Sequence, residues 1–171
     1  MIREIITYPN KILKEKSKEV ELFDDDLHTL LDDMYETMMT KNGIGLAAIQ
    51  ISEAKNVLII NLPNRDDEQE KSDLIEIINP RILERRGSTL YTEGCLSVPE
   101  FYEDVERAEW IRVSYHDRLG KSIEMEYEGL MAIALQHEMD HLKGELFIEK
   151  LSFLKRKKFE KDWKKKIKGK K

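Results

Sequence analysis

Two histidines stand four positions apart in the stretch QHEMDHL, residues 136–142, and a carboxylate follows the first: His137-Glu138-Met139-Asp140-His141. On a helix, positions i and i+4 share a face, so His137 and His141 can present two ring nitrogens to one ion. Glu138 then points about a third of a turn away, near such an ion but not on it, as a metal hydrolase requires of its acid/base. The pattern fixes only three residues. Two core histidines satisfied by backbone groups would produce it as well. The metal reading demands a third ligand and an open position for water.

Two places could supply that ligand. Zinc proteases sharing the pentapeptide continue with a glycine and a third histidine, and here Gly144 holds the glycine position while Phe147 stands where the histidine would fall. That extension is broken. The single cysteine, Cys95, lies in EGCLSVP, residues 93–99, and as a thiolate completes a Cys-His-His set; taken alone, a lone cysteine reads as a small buried hydrophobe. Gly94 would let the backbone approach a neighbour closely, and Pro99 is expected to end the strand. Two imidazoles and a thiolate suit zinc, iron(II), cobalt or nickel and disfavour calcium or magnesium.

A third stretch, GIGLAAIQ at 43–50, lacks the lysine and hydroxyl of a phosphate loop and follows a helix instead of a strand, which argues against a nucleotide cofactor. Its small residues read as a loop packed tightly against a neighbour, with Gln50 offering donors at the end.

The elements that must position these residues follow from periodicity. Leu27, Leu30, Leu31, Met34 and Met38 fall at helical spacing within 23–40, behind the acidic start Asp24 to Asp26. Branched runs at 56–61 and 73–79, and a less regular one at 82–92, predict strands separated by the polar loop 63–72. Alternation at Ile111, Val113 and Tyr115, then at Ile123, Met125 and Tyr127, predicts a hairpin turning at DRLGK, 117–121. Residues 129–141 are apolar nearly all round before the histidines, so this helix belongs in a core, and Gly144 falls where a left-handed stop would end it. Phe159, Trp163 and Ile167 share one stripe of a last, basic helix, with Trp163 its anchor. His28 and His116 belong to no motif. The order predicts an α+β domain over residues 1–171, with antiparallel sheets packed around the buried metal-binding helix, an N-terminal helix and a C-terminal basic helix.

Composition limits the setting. The chain has 171 residues, 37% of them charged, with a net charge of −5. Residues 155–171 hold eleven Lys or Arg against two acids, a balance of +9 that leaves −14 for the rest. No basic-then-apolar segment opens the chain, no apolar run approaches the roughly 20 residues of a bilayer span, and one cysteine excludes an internal disulfide. The expectation is a cytoplasmic protein with no membrane association.

Together, GIGLAAIQ, EGCLS and QHEMDHL, in this order and at these spacings, resemble the three signature motifs of the peptide deformylase family. The resemblance runs from the early Tyr8-Pro9 segment to the last helix. It implies that Cys95, His137 and His141 bind the metal, that Glu138 is the catalytic acid/base, and that Gln50 and the Leu96 backbone N–H bind the reacting oxygen. It implies Fe2+ as the ion used in the cell, with Zn2+, Ni2+ or Co2+ also accommodated. The implied reaction is removal of the formyl group from N-terminal formylmethionine of nascent polypeptides, releasing formate. Methionine would occupy an apolar pocket at Ile44, Gly45, Leu130, Ile133 and Ala134. The lysine run of the last helix reads either as a solvated face or, as in some members of the family, as a surface that docks on the ribosome. Tyr102 stands where many bacterial members carry an arginine near bound peptide, so that contact does not carry over. Arg107 keeps a family position and is expected to pair with Glu93.

Overall fold

The computed structural model describes residues 1–169; residues 170 and 171 of the basic tail lie outside the described residues. Helix α1 spans Asp25–Thr40 and is capped by Asp24, whose carboxylate accepts the Leu27 N–H at 3.1 Å. Strands β1 (Gly45–Ala47), β2 (Val57–Ile60), β3 (Ile75–Arg86), β4 (Thr89–Cys95), β5 (Val98–Arg107), β6 (Trp110–His116) and β7 (Ser122–Glu128) follow, then helices α2 (Gly129–Leu142) and α3 (Phe153–Gly169). The strands form a five-stranded antiparallel sheet in the order β1-β2-β3-β6-β7 and a separate β4-β5 hairpin. This is the α+β arrangement that the element order predicts.

The β2 run VLII is buried at every position because both faces of the sheet are covered. Leu58 and Ile60 join Leu135, Met139 and Leu142 of α2, while Val57 and Ile59 join Leu30, Leu31, Met34 and Met38 of α1. Strand β2 is therefore apolar throughout, while β6, with only its alternate residues Ile111, Val113 and Tyr115 buried, keeps a period of two. Helix α2 buries every residue from Ala132 to Leu142, polar ones included. It ends at Gly144, which adopts φ +79°, the left-handed conformation anticipated there.

Three local expectations change. The run 82–92 is divided: Ile82 to Arg86 prolong β3, Gly87 and Ser88 turn the chain, and β4 begins at Thr89. Pro99 ends no strand and is the second residue of β5; the chain turns earlier, at Leu96 and Ser97, where Cys95 pairs with Val98. The stretch 43–50 is more than a loop, since it contributes β1 and a 3-10 turn over Ala48–Ile51.

The β4-β5 hairpin is held by a third apolar cluster that includes Val98, Val105, Phe147 and Phe159. Phe159 is buried and lies 4.5 Å from the Phe101 ring and 5.4 Å from Tyr8, with Trp163 5.6 Å from Tyr8. One stripe of α3 thus anchors the helix, and its lysines are left outside.

Candidate active site

Three elements distant in sequence meet at the middle of α2. Cys95 arrives at the end of β4, Gln50 from the turn after β1, and His137, Glu138 and His141 from α2 itself. The Cys95 sulfur and one nitrogen from each histidine all lie within 4.8 Å of one another, with Sγ 3.3 Å from His141 Nε2. An ion at ordinary metal–sulfur and metal–nitrogen bond lengths in tetrahedral array sets its ligand atoms roughly 3.5 Å apart. The cluster fits that spacing, and its donor types fit a borderline transition metal.

The His137 ring is fixed by its other nitrogen. Nδ1 donates to Glu93 Oε1 at 2.8 Å, which leaves Nε2 to face the cluster. Glu93 in turn accepts from Arg107 Nε at 2.8 Å and Nη2 at 2.9 Å, and Arg107 Nη1 donates to Asp140 Oδ2 at 2.5 Å. All four side chains are buried. Burial alone would raise the Glu93 carboxyl, but the hydrogen bonds from Arg107 and His137 outweigh it and hold it below the usual range. Glu93 and Asp140 keep the Arg107 guanidinium charged against burial. The expected Arg107–Glu93 pair is thus present. The sequence reading missed that Glu93 also orients His137 and that Asp140 is Arg107's second counterion, although both lie inside the quoted motifs.

Burial would lower His137, but its hydrogen bonds to Cys95 and Glu93 prevail and hold it well above the usual histidine value; burial and the His137 charge push His141 well below. Burial also pushes the Glu138 carboxyl up to about 7, against the pull of His137. Glu138 Oε1 lies 3.7 Å from His137 Nε2, and Oε2 is buried without a hydrogen-bond partner among the described residues. An orphaned carboxylate oxygen beside a ligand set is what a proton carrier for an incoming molecule looks like.

Gln50 has one amide orientation. Its Oε1 accepts the Ala47 N–H at 2.9 Å, so Nε2 points at the cluster, 3.0 Å from Ser97 Oγ and 3.7 Å from the Cys95 sulfur. Ser97 is a partner the sequence reading did not single out. Leu96 occupies the tip of the β4-β5 turn, and its side chain packs against Gly43, where a Cβ would lie 2.7 Å from Leu96 Cδ1. Gly45 has a comparable reason: a Cβ there would lie 3.2 Å from Glu138 Cγ and Cδ. The small residues of GIGLAAIQ therefore let the backbone close over the site, as their sizes suggest.

These groups open on a cavity of about 890 Å³. Ile44, Gly45, Leu130, Ile133 and Ala134 line it together with Gln50, Cys95, Leu96, His137 and Glu138. His141 stands behind the cavity wall, 1% exposed. Phe147, at the position of a protease's third histidine, is buried with its ring 5.8 Å from that of His137, so an apolar contact replaces a ligand there.

The sequence profile of the polypeptide deformylase family matches residues 2–157. The chain belongs to this family. A curated peptide deformylase from Campylobacter jejuni is 55% identical over 170 residues, covering 99% of this chain and 97% of that one. A crystal structure of a peptide deformylase from Legionella pneumophila superposes with a TM-score of 0.88 at 41% identity, over 100% of this chain and 99% of that one. A class I type b peptide deformylase from Acinetobacter baumannii, solved with Met-Ala-Ser bound, has a TM-score of 0.82 at 36% identity, covering 88% and 99%. Deformylases are metallo-amidohydrolases, and the chain is accordingly an enzyme of the hydrolase class. No helix among the described residues is long and apolar enough to cross a membrane.

Proposed function

We propose that this enzyme removes the formyl group from the N-terminal formylmethionine of nascent polypeptides, with one divalent ion held by Cys95, His137 and His141. The observation that carries this reading is the convergence of that donor set with Glu138 and Gln50 on one cavity. Such an ion would act as a Lewis acid, making a hydroxide-like nucleophile available near neutral pH. Fe2+ is the ion proposed for the cell. Zn2+, Ni2+ and Co2+ suit the same donors, and because intrinsic affinity favours zinc over iron, iron occupancy would reflect supply and geometry.

Glu138 accepts the proton of the attacking water and delivers it to the amide nitrogen as the C–N bond breaks. Formate and a free amino terminus then leave, with one water consumed. Charge developing on the formyl oxygen is met by Gln50 Nε2 and the Leu96 N–H, each donor contributing about 3 kcal/mol. Gln50 is rigid because the Ala47 N–H and Ser97 hold both ends of its amide. The methionine side chain enters the apolar part of the cavity at Ile44, Leu130, Ile133 and Ala134, with Gly45 leaving room for Glu138. Met-Ala-Ser bound to the Acinetobacter relative supports a cleft that accepts a peptide beginning with methionine.

The lysines of α3 are proposed to dock the enzyme in the cytoplasm on ribosomal RNA, where its substrates emerge. Lys157, Lys158, Lys161, Lys164 and Lys165 have no carboxylate partner among the described residues, a surface whose RNA affinity should fall steeply with added salt. Ribosome binding that ignores salt, or none at all, would remove that part of the proposal.

The enzymatic reading is tested by formate release from formyl-Met-Ala-Ser beside hydrolysis of unblocked Met-Ala-Ser. Turnover of the first alone is expected. Cleavage of the peptide bond in the second would point to a peptidase instead.

A further inference from the structure

The loop between β2 and β3 is exposed from Arg65 to Glu68, yet Gln69 in the same loop is half-buried. Its Nε2 donates to the Asn61 carbonyl at 2.7 Å and to the Gly43 carbonyl at 2.9 Å, the second of these 26 residues earlier in the chain. The loop braces Gln69 from both sides. Asn64 Oδ1 accepts the N–H groups of Asp66 and Glu68 at 2.9 and 3.1 Å, and Asn61 Nδ2 donates to the Glu70 carbonyl at 2.9 Å.

The segment that Gln69 reaches is the one that covers Glu138. Gly43, Ile44 and Gly45 line the cavity beside that carboxylate, with Gly43 closed against Leu96 and Gly45 against Glu138 itself. Two of these three residues carry no side chain to pack, and glycine's backbone freedom makes the place of the segment depend on its hydrogen bonds. Three fix Gly43 and Ile44 among the described residues. The Gly43 N–H donates to the Met38 carbonyl at 3.0 Å, the Ile44 carbonyl accepts the Asn61 N–H at 2.8 Å, and the Gly43 carbonyl accepts Gln69 Nε2. The first two join backbone to backbone and are open to any sequence. The third depends on the side chain at 69.

We infer that Gln69 is a positioning residue for the reaction: its carboxamide fixes the Gly43 to Gly45 segment, and through it the wall against which Glu138 rests. This rests on the deformylase reading of the site. A wall that shifts displaces the proton carrier, so the loss falls on kcat. KM is spared because Leu130, Ile133 and Ala134 of the methionine pocket belong to α2.

Two variants separate hydrogen bonding from bulk. Gln69→Glu keeps the shape but, ionised near neutral pH, has no hydrogen to donate; Gln69→Lys changes the shape and keeps donors for both carbonyls. With metal-loaded enzyme and formyl-Met-Ala-Ser, kcat should fall about 10-fold in Gln69→Glu and stay within about twofold of the wild type in Gln69→Lys. Metal content and denaturant midpoint should match the wild type in both, because the substitution lies in an exposed loop. Unchanged kcat in Gln69→Glu, an equal loss in both variants, or a loss matched by a lower midpoint or lower metal content overturns the inference. Hydrogen exchange of backbone 43–47 in metal-free protein, read by mass spectrometry, makes the comparison without turnover: it should quicken in Gln69→Glu and not in Gln69→Lys. Absence of formate from the wild type would sink the deformylase reading, whereas unchanged exchange in Gln69→Glu would sink this one.

Discussion

The Nδ1–H of His137 donates to Glu93 Oε1 across 2.8 Å. That bond selects the tautomer whose Nε2 is free to bind a cation, and it ties β4 to α2 at the point where Cys95 and His137 meet. Orienting partners of this kind typically control metal affinity by 10- to 100-fold. Glu93→Gln, which keeps an acceptor but loses the charge, should weaken metal retention about 10-fold in chelator competition. Glu93→Ala should lose more. Unchanged affinity in both would show that His137 needs no such support.

The Arg107 guanidinium bridges Glu93 and Asp140, and all three side chains are buried. Arg107→Ala leaves Glu93 with only His137 and Asp140 with only the half-exposed Lys150 at 4.0 Å, and should cost roughly 3–5 kcal/mol in denaturant unfolding, the usual cost of breaking a buried ion pair. Unaltered stability would count against the pairing.

The same network fixes a pH dependence. The folded-state pKa of Glu93 is depressed, so its stabilising contribution is fully present above the ordinary glutamate value of 4.5 and is lost as pH falls through the lower folded value. Metal-free wild type should therefore stay folded through pH 4.5. Arg107→Ala removes the main cause of the depression, and its acid-unfolding midpoint, followed by circular dichroism, should move upward. A midpoint that stays put or moves down would contradict this.

Gly45→Ala separates catalysis from metal binding. The new methyl would sit 3.2 Å from Glu138 Cγ and Cδ, so the carboxylate must shift while the Cys-His-His set is untouched. Formate release should fall at least 10-fold, with metal content unchanged by elemental analysis. Full activity would mean that the position of Glu138 is not critical.

Gly144→Ala is the complementary structural probe. Its φ of +79° disfavours any side chain, and a Cβ would lie 2.3 Å from the Lys14 carbonyl oxygen. It should destabilise the fold by about 1–3 kcal/mol, read as a lower denaturant midpoint. An unchanged midpoint would refute the role of this stop.

The site was legible because its residue types are rare and their spacing is dictated by local geometry. His137 and His141 needed only the helix period, and Cys95 had no rival as a thiol. The fold was legible where period and burial agree, as in α1 and β6, and less so in β7, whose alternation held although Met125 is exposed. Strand β5 was missed because Glu100, Tyr102 and Asp104 lie on an exposed face of the hairpin, and Pro99 reads as a stop unless the turn at Leu96 and Ser97 is known. Proline is tolerated there because it is the second residue of a strand in a two-stranded sheet, where one edge needs no partner. The partners of Gln50 and Arg107 depend on contacts across 47 and 33 residues of sequence, which no local pattern encodes.

The central claim is that amide hydrolysis here depends on an ion held by Cys95, His137 and His141. The most direct test follows formate release from formyl-Met-Ala-Ser as protein purified without oxygen is stripped with chelator and then titrated with Fe2+. Activity should vanish with the ion and return in full at about one equivalent per chain in the wild type, and not in Cys95→Ala. Metal-free protein that releases formate at the original rate would contradict the account.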